Sequence, residues 1–264
     1  MGGDQFFAGG IPEIYQNYMV PLIFEGYAAD LVGRLVARRP ARVLEVAAGT
    51  GVVTRALAAA LEGEIVATDL NQAMIDQASA RGTARPVEWR QADALQLPFA
   101  DGEFDAVACQ FGVMFFPDKA RGFAEARRVL RPGGVYVFNS WGSIEDNELA
   151  HVVTQALETV FPQDPPRFMA RVPHGYHDVE VIRRDLAAGG FTGPVIETVT
   201  GRSRAPSARA AAVAFCQGTP LRNEIEARGS LGEATAAAER ALVQRFGTGP
   251  VDAQIQAHVV VAPA

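Results

Sequence analysis

Cysteine is nearly absent from the sequence. Only Cys109 and Cys216 occur among 264 residues. Two cysteines make neither a disulfide framework nor a cluster of metal ligands. We interpret both as buried apolar thiols, and we expect no metal site.

Long apolar runs and basic stripes are also missing. No stretch reaches about 18 uninterrupted apolar residues, so we expect no membrane span. The opening residues, MGGDQFFAGG, lack the basic and apolar regions of a signal peptide, which favours a cytoplasmic location. A formal net charge of −6 without a basic stripe argues against a nucleic-acid partner.

The chain does contain an alternation of strand-like and helix-like segments. This order predicts right-handed crossovers and a mostly parallel, doubly wound α/β sheet. Ligands of such sheets bind outside the carboxyl ends of the strands. We predict strands over 41–47, 64–70, 87–93, 104–112 and 135–141, and helices over 52–61, 72–82 (capped by Asn71) and 118–130.

The flanking segments are predicted to be mainly helical. Pro21 is expected to break the helical pattern of 11–39, and Asp178 to cap a helix over 179–191. We predict one domain over 1–264, with a helical cap at 1–40, a cofactor-binding core at 41–141, and lid helices and final strands at 142–264. The other predicted elements are a helix over 145–160, an irregular lid over 161–178, and strands over 194–200 and 253–262.

A glycine-containing loop, VLEVAAGTG, follows the first predicted strand. Gly49 and Gly51 allow a tight turn and a close approach of ligand to backbone. A dinucleotide loop would have a glycine at Ala47 and a third glycine further on. Glu45 would repel a pyrophosphate but suits a ligand that carries a positive charge. The loop alone leaves both kinds of ligand open.

Acidic residues also end the next two strands. Asp69 can accept hydrogen bonds from both ribose hydroxyls, and Asp93 can accept one from an adenine amine. Leu70 and Met74 can form an apolar wall for adenine, and the Ala94 N–H can donate to a ring nitrogen. Together with Glu45, these acids match a cationic nucleoside, S-adenosylmethionine.

At this point a family resemblance is clear. The ordered motifs VLEVAAGTG, TDLN, QADALQLPF, FDAVACQFGVMFFPD and LRPGGVYVF resemble those of class I S-adenosylmethionine-dependent methyltransferases. The similarity covers about 11–141 and is strongest to the type 11 branch of ubiquinone/menaquinone-biosynthesis-like, small-molecule enzymes. It implies a Rossmann-like, seven-stranded sheet with an antiparallel last strand and helical lid insertions.

The resemblance also implies roles for individual residues. Glu45 would hold the methionine amino group, and Phe111 would lie near the sulfonium. The Gln110 backbone carbonyl would meet the methionine moiety. The implied cofactor-binding set is Tyr15, Tyr18, Glu45, Ala47, Gly49, Gly51, Asp69, Leu70, Met74, Asp93, Ala94, Gln110 and Phe111.

The acceptor is predicted to be a small molecule, and O-, N- and C-methylation all stay open. In-line displacement from a sulfonium can rest on proximity and orientation, with S-adenosylhomocysteine as product. A base is needed only for some acceptors, and no catalytic residue is assigned. Candidate bases are His151, His174, His177, Tyr176 and Glu148, while His258 is interpreted as structural.

Aromatic side chains could line the acceptor pocket, although core packing would also explain them. The candidates are Phe111, Phe115, Phe116 and Trp141. The chain is expected to act as a monomer or homodimer. Two other functions stay open at this stage: a nicotinamide-dependent oxidoreductase and a non-catalytic cofactor-binding protein.

Overall fold

Seven strands form one sheet in the computed structural model of the chain, which describes residues 10–264. The predicted strands are present, with the fifth beginning earlier than expected and the sixth ending later. The strands are β1 Arg42–Val46, β2 Glu64–Asp69, β3 Glu88–Gln91, β4 Phe104–Gln110, β5 Leu130–Trp141, β6 Val195–Ala205 and β7 Val251–Pro263.

The strand order in the sheet is β3-β2-β1-β4-β5-β7-β6. β1 pairs in parallel with β2 and β4, β2 with β3, and β4 with β5. β7 pairs with β5 in the antiparallel sense. The predicted Rossmann-like fold is therefore confirmed, including its antiparallel last strand.

Helices precede β1, connect the following strands and lie between the last two strands. A π-helix over Tyr15–Phe24 and two short 3₁₀ helices, Val113–Phe115 and Ile144–Asp146, complete the set. The α-helices are α1 Ile11–Ile14, α2 Glu25–Val36, α3 Val52–Ala60, α4 Gln72–Ala80, α5 Lys119–Val129, α6 Glu148–Val160, α7 Phe168–Arg171, α8 Val179–Ala188, α9 Ala208–Gln217, α10 Leu221–Glu226 and α11 Leu231–Phe246.

The break expected at Pro21 is wrong. The π-helix runs through Pro21 and continues directly into α2, where the Glu25 N–H donates to the Val20 carbonyl five residues back. A proline ring clashes with carbonyls of an ordinary α-helical turn, and it supplies no N–H. The wider π turn accommodates the ring, so the helix continues instead of ending.

The chain divides into two compact units. The sheet unit comprises 26–141, 176–199 and 257–264, and the helical unit comprises 142–175, 200–256 and the described residues up to 25. The predicted single domain over 1–264 stays a prediction. The expectation about a signal peptide falls mainly on residues 1–9, outside the described part of the chain.

Each unit has its own apolar core. In the sheet unit, α2 and α3 bury side chains such as Leu31, Leu35 and Leu57 on the face formed by β1, β4 and β5. In the helical unit, α11 packs against α6 and α9, with Leu157 and Leu242 fully buried. No helix within residues 10–264 is long and apolar enough to cross a membrane.

Two predicted helix caps have different outcomes. Asp178 caps α8 as expected, because its Oδ1 accepts from the Glu180 N–H at 2.8 Å. Asn71 precedes α4 in an extended conformation, but its side chain makes no capping hydrogen bond. The side-chain amide of Asn71 donates instead to Asp69 Oδ1 at 3.4 Å, so it supports the end of β2 rather than the helix.

We expect Asp178→Ala to lower the free energy of unfolding by about 1 kcal/mol, because the first turn of α8 loses the acceptor for its N–H groups. Urea unfolding followed by circular dichroism measures the change. Glu158→Ala on the exposed side of α6 is the control and should leave stability nearly unchanged. Equal stability of both variants would contradict the capping role.

Candidate active site

Glu45 lies near the carboxyl end of β1 and is 1% exposed. The Thr54 hydroxyl on α3 donates to its Oε2 at 2.5 Å. Burial raises the pKa of Glu45 to about 8, although the Thr54 hydrogen bond and the charge of Arg55 oppose the rise. The acid predicted from the sequence is therefore a buried carboxyl that is mostly protonated at neutral pH.

The loop after β1 turns through left-handed backbone conformations. Gly49 and Gly51 have φ of 56° and 81°, and Gly51 leads directly into α3. A Cβ on Gly51 would lie 2.9 Å from the Trp89 ring, so a side chain is excluded there by space as well as by conformation. The loop thus places its own backbone and the first turn of α3 beside Glu45.

Ala47 has a left-handed conformation as well, with φ of 56°. An L-residue with a Cβ pays a steric cost there that glycine avoids. Space for the Ala47 methyl group comes from Gly112, since a Cβ on Gly112 would lie 2.5 Å from Ala47 Cβ. The alanine at position 47 therefore adds backbone strain and requires a glycine at position 112.

Asp69 connects the loop to the end of β2. Its Oδ2 accepts from the Gly49 N–H at 2.9 Å and its Oδ1 from the Asn71 N–H at 2.8 Å. Burial raises the pKa of Asp69, while these hydrogen bonds oppose the rise. Two carboxylate oxygens have about four acceptor positions, so Asp69 retains the capacity to accept from a ligand.

The next residues of the predicted site are placed around the ends of β2 and β3. Asp93 is exposed two residues beyond β3, and its Oδ1 accepts from the Leu95 N–H at 2.9 Å. Ala94 and Leu70 are half-buried, and Met74 on α4 is buried. Their predicted contacts with adenine stay predictions.

The end of β4 leads into an aromatic cluster. Phe111, with φ of 52°, stacks on Trp141 of β5 with ring centroids 3.6 Å apart. Tyr27 of α2 contacts both rings edge-on, at 5.4 and 5.6 Å. Gln110 precedes Phe111 and is buried, while Phe115 lies on the following 3₁₀ turn. The predicted acceptor-lining residues Phe111 and Trp141 are thus brought together.

Several predicted site residues lie in the helical unit instead. Tyr15 and Tyr18 belong to its π-helix, and His151 belongs to α6. His174 is also there and is 5% exposed, with Nδ1 2.9 Å from the Gly142 carbonyl oxygen. The candidate base His174 is therefore buried, whereas His177, in the sheet unit, is exposed.

The other candidate bases have structural contacts. The Tyr176 hydroxyl donates to Asp185 at 3.1 Å, and burial raises its pKa. Glu148 accepts from the Gln254 N–H at 2.6 Å. His258 lies 3.0 Å from the Thr198 hydroxyl, a contact that agrees with its structural interpretation. Within residues 10–264, no three His, Cys, Asp or Glu side chains gather where they could hold a metal ion.

The sequence reasoning missed two polar residues near this site. Thr54, which bonds Glu45, was hidden in an ordinary helix pattern. Asn139 is fully buried on β5, opposite Gln110 in the register. Its signal was present, because an amide stands within the apolar strand sequence VYVFNSW.

We expect Ala47→Gly to raise the free energy of unfolding by about 1 kcal/mol, because relief of the left-handed strain exceeds the added chain entropy of glycine. Chemical unfolding of the purified protein measures the difference. Ala48→Gly next to it is the matched control, since Ala48 has no positive φ; it should destabilise by a similar amount. Loss of stability in both variants would refute the strain at Ala47.

Glu45 should also produce a pH-dependent stability in the ligand-free protein. Its pKa is about 8 when folded and near 4.5 when unfolded, so its stabilising contribution is complete below about pH 4.5 and is lost as pH rises through about 8. Relative to Glu45→Gln, the free energy of unfolding should fall by up to about 1.4 kcal/mol per pH unit between these values. Parallel pH profiles for the two proteins would contradict a raised pKa.

Comparison with known proteins places this geometry in a family. The methyltransferase domain family matches residues 44–138. The chain is 28% identical over 200 residues to the ubiquinone/menaquinone biosynthesis C-methyltransferase of Idiomarina loihiensis, covering 70% of this chain and 78% of that protein. It is 30% identical over 175 residues to the enzyme of the same name from Ectopseudomonas mendocina, covering 61% and 68%.

Solved structures agree on the fold. The YcgJ protein of Bacillus subtilis aligns with a TM-score of 0.57 and 18% identity, covering 89% of this chain and 98% of that one. Phosphoethanolamine N-methyltransferase 2 of Haemonchus contortus, in complex with S-adenosyl-L-methionine, aligns with a TM-score of 0.59 and 16% identity, covering 96% and 56%.

The two sequence relatives are methyltransferases, so the similarity concerns the type of enzyme as well as the fold. It argues against a nicotinamide-dependent oxidoreductase. With the ordered motifs on the carboxyl ends of β1 to β4, the chain belongs to the S-adenosylmethionine-dependent methyltransferases of the ubiquinone/menaquinone-biosynthesis-like branch, and S-adenosylmethionine is its cofactor.

Proposed function

We propose that this enzyme methylates a small-molecule acceptor by in-line displacement, and that the acceptor binds beyond the carboxyl ends of β4 and β5. The observation that carries the proposal is the Gly49–Asp69 hydrogen bond. It joins the glycine loop to the acid at the end of β2, so one ligand can contact both. The chain acts in this proposal as a monomer or homodimer.

The residues of the loop fit the implied cofactor. Thr50 Oγ1 is buried without a hydrogen-bond partner within residues 10–264, so it can bond a ligand at the loop. Asp69 would accept from the ribose hydroxyls, and Asp93 with Ala94 would contact the adenine edge. Ala47, Gly49 and Gly51 would face the amino-acid portion, with Leu70 and Met74 against the adenine face.

Glu45 would meet the ammonium group directly or through water. A positive charge near a buried carboxyl favours its ionised form, which opposes the desolvation that now raises the pKa of Glu45. Binding would then release a proton from Glu45. The buried carboxyl therefore gives the loop a preference for a cationic ligand over a pyrophosphate.

When bound, the cofactor supplies a sulfonium-activated methyl group. The chain's own contribution is to bind, orient and exclude water. Phe111 would lie near the positive charge, which an aromatic face attracts. Phe111, Phe115 and Trp141 would hold the acceptor in line with the methyl group, and orientation of this kind can lower a barrier by several kcal/mol.

Two observations support an aromatic small molecule as the acceptor. An aromatic cluster of Phe111, Trp141 and Tyr27 lies at the end of β4 and β5, which suits a flat organic molecule. Two relatives are named as C-methyltransferases of quinone biosynthesis. A quinol is therefore the first acceptor to assay, with transfer to a ring carbon expected.

We expect Asp69→Asn to weaken binding of S-adenosylhomocysteine at least tenfold, because the loss of a charged hydrogen-bond acceptor is worth about 1.5–3 kcal/mol. Isothermal titration calorimetry measures the dissociation constant, and circular dichroism checks that the variant folds. Asp76→Asn, on the exposed side of α4, is the matched control and should bind normally. Unchanged affinity in the Asp69 variant would remove the assignment of the ribose contact.

A further inference from the structure

Asn139 stands out among the buried polar residues of the sheet unit. It is fully buried on β5, and neither its amide nitrogen nor its amide oxygen has a hydrogen-bond partner within residues 10–264. A buried amide without partners is costly and uncommon in folded proteins. Replacing it by an apolar residue would remove that cost, so stability alone gives no reason for an amide at this position.

The register places Asn139 at the functional end of the sheet. It pairs with Gln110 on β4 and with Val259 on β7. Residues two apart on a strand face the same way, so Asn139 shares its face with Val137 below it and Trp141 above it. Val137 belongs to the apolar core, whereas Trp141 belongs to the aromatic cluster. Asn139 thus lies between the apolar core and the proposed acceptor region.

The aromatic pair next to Asn139 carries backbone strain. Phe111 keeps its stacked position with a left-handed φ of 52°, a conformation that strains a residue with a side chain. Strained residues of this kind concentrate where ligands are bound. Because Asn139 is fully buried, a ligand that reaches it must displace part of this cluster, and the ring of an aromatic ligand could replace a displaced ring.

We propose that Asn139 binds and orients the methyl acceptor proposed above, through hydrogen bonds to an oxygen atom of that acceptor. This proposal rests on the proposed function. The amide nitrogen donates to the oxygen of the acceptor, and the amide oxygen accepts from its hydroxyl. Since Asn139 is neutral, the site favours phenols and quinols over phosphorylated or strongly charged acceptors.

Thermal unfolding of the protein saturated with S-adenosylhomocysteine tests the class of acceptor. The probes are 1,4-dihydroxynaphthalene, catechol and phenol, with toluene as the analogue that lacks oxygen. At least one hydroxylated probe should raise the unfolding midpoint of the wild type by about 2–4 °C, and toluene should not. The same probe should leave Asn139→Val unshifted. A wild type that responds to none of the three, or equally to toluene, overturns the proposal.

Methyl transfer from labelled S-adenosylmethionine to the probe that binds gives the second readout. Asn139→Val should lose at least thirtyfold in kcat/KM, while its dissociation constant for S-adenosylhomocysteine stays within twofold of wild type. Undiminished transfer by the variant overturns the role of Asn139. Failure of the wild type to bind S-adenosylhomocysteine would instead refute the proposed function, so the two failures are distinguishable.

A matched pair of variants separates a binding role from a structural one. Asn147 is also a buried asparagine, but its amide bonds the Ser143 carbonyl and the Gln256 N–H. Without ligand, Asn147→Val should lower the unfolding midpoint and Asn139→Val should keep or raise it. If Asn139→Val destabilises the protein as much as Asn147→Val does, the Asn139 amide has a structural partner and the proposal fails. Asn139→Ala repeats the comparison with a smaller side chain.

Discussion

The hydrogen bond from the Gly49 N–H to the Asp69 carboxylate is the interaction on which the site depends. It crosses from the loop after β1 to the end of β2, the neighbouring parallel strand. A backbone hydrogen bond from the Ala48 N–H to the Thr68 carbonyl, at 2.9 Å, joins the same loop to β2. The same carboxylate also accepts from the Asn71 N–H, so one buried acid positions both the glycine loop and the start of α4. The proposed ribose contact would use acceptor capacity that remains on an already positioned group.

A second constraint is the close approach of the loops that follow β1 and β4. Ala47 and Phe111 both have left-handed backbone conformations, although neither is a glycine. Gly112 provides the space that the Ala47 methyl group needs. Strain is therefore shared between two adjacent strand ends, both at the carboxyl edge where parallel sheets bind ligands. An alanine in place of the usual glycine costs stability while leaving the turn in place.

Much of the fold was predictable because hydrophobic periodicity and turn residues are local signals. The parallel core and the acids at 45, 69 and 93 followed from them. Pro21 was misjudged because a π turn depends on the geometry of neighbouring turns, which a sequence pattern does not record. Asn71 was misjudged because the carboxyl of Asp69, two residues earlier, competes with the helix for its side chain. Asn139 escaped notice because its significance lies in the absence of a partner within the described residues, which only the packed structure reveals.

The two ends of the proposed ligand site differ in how their polar groups are satisfied. On the donor side, Glu45 and Asp69 already have hydrogen bonds, from Thr54 and from the loop backbone. These bonds fix the carboxyls before any ligand arrives, which reduces the ordering cost of binding. On the acceptor side, Asn139 has no such partner within the described residues. The donor side is therefore ordered before binding and is marked by the loop motifs, whereas the proposed acceptor contact at Asn139 lies outside those motifs and has no partner until a ligand binds.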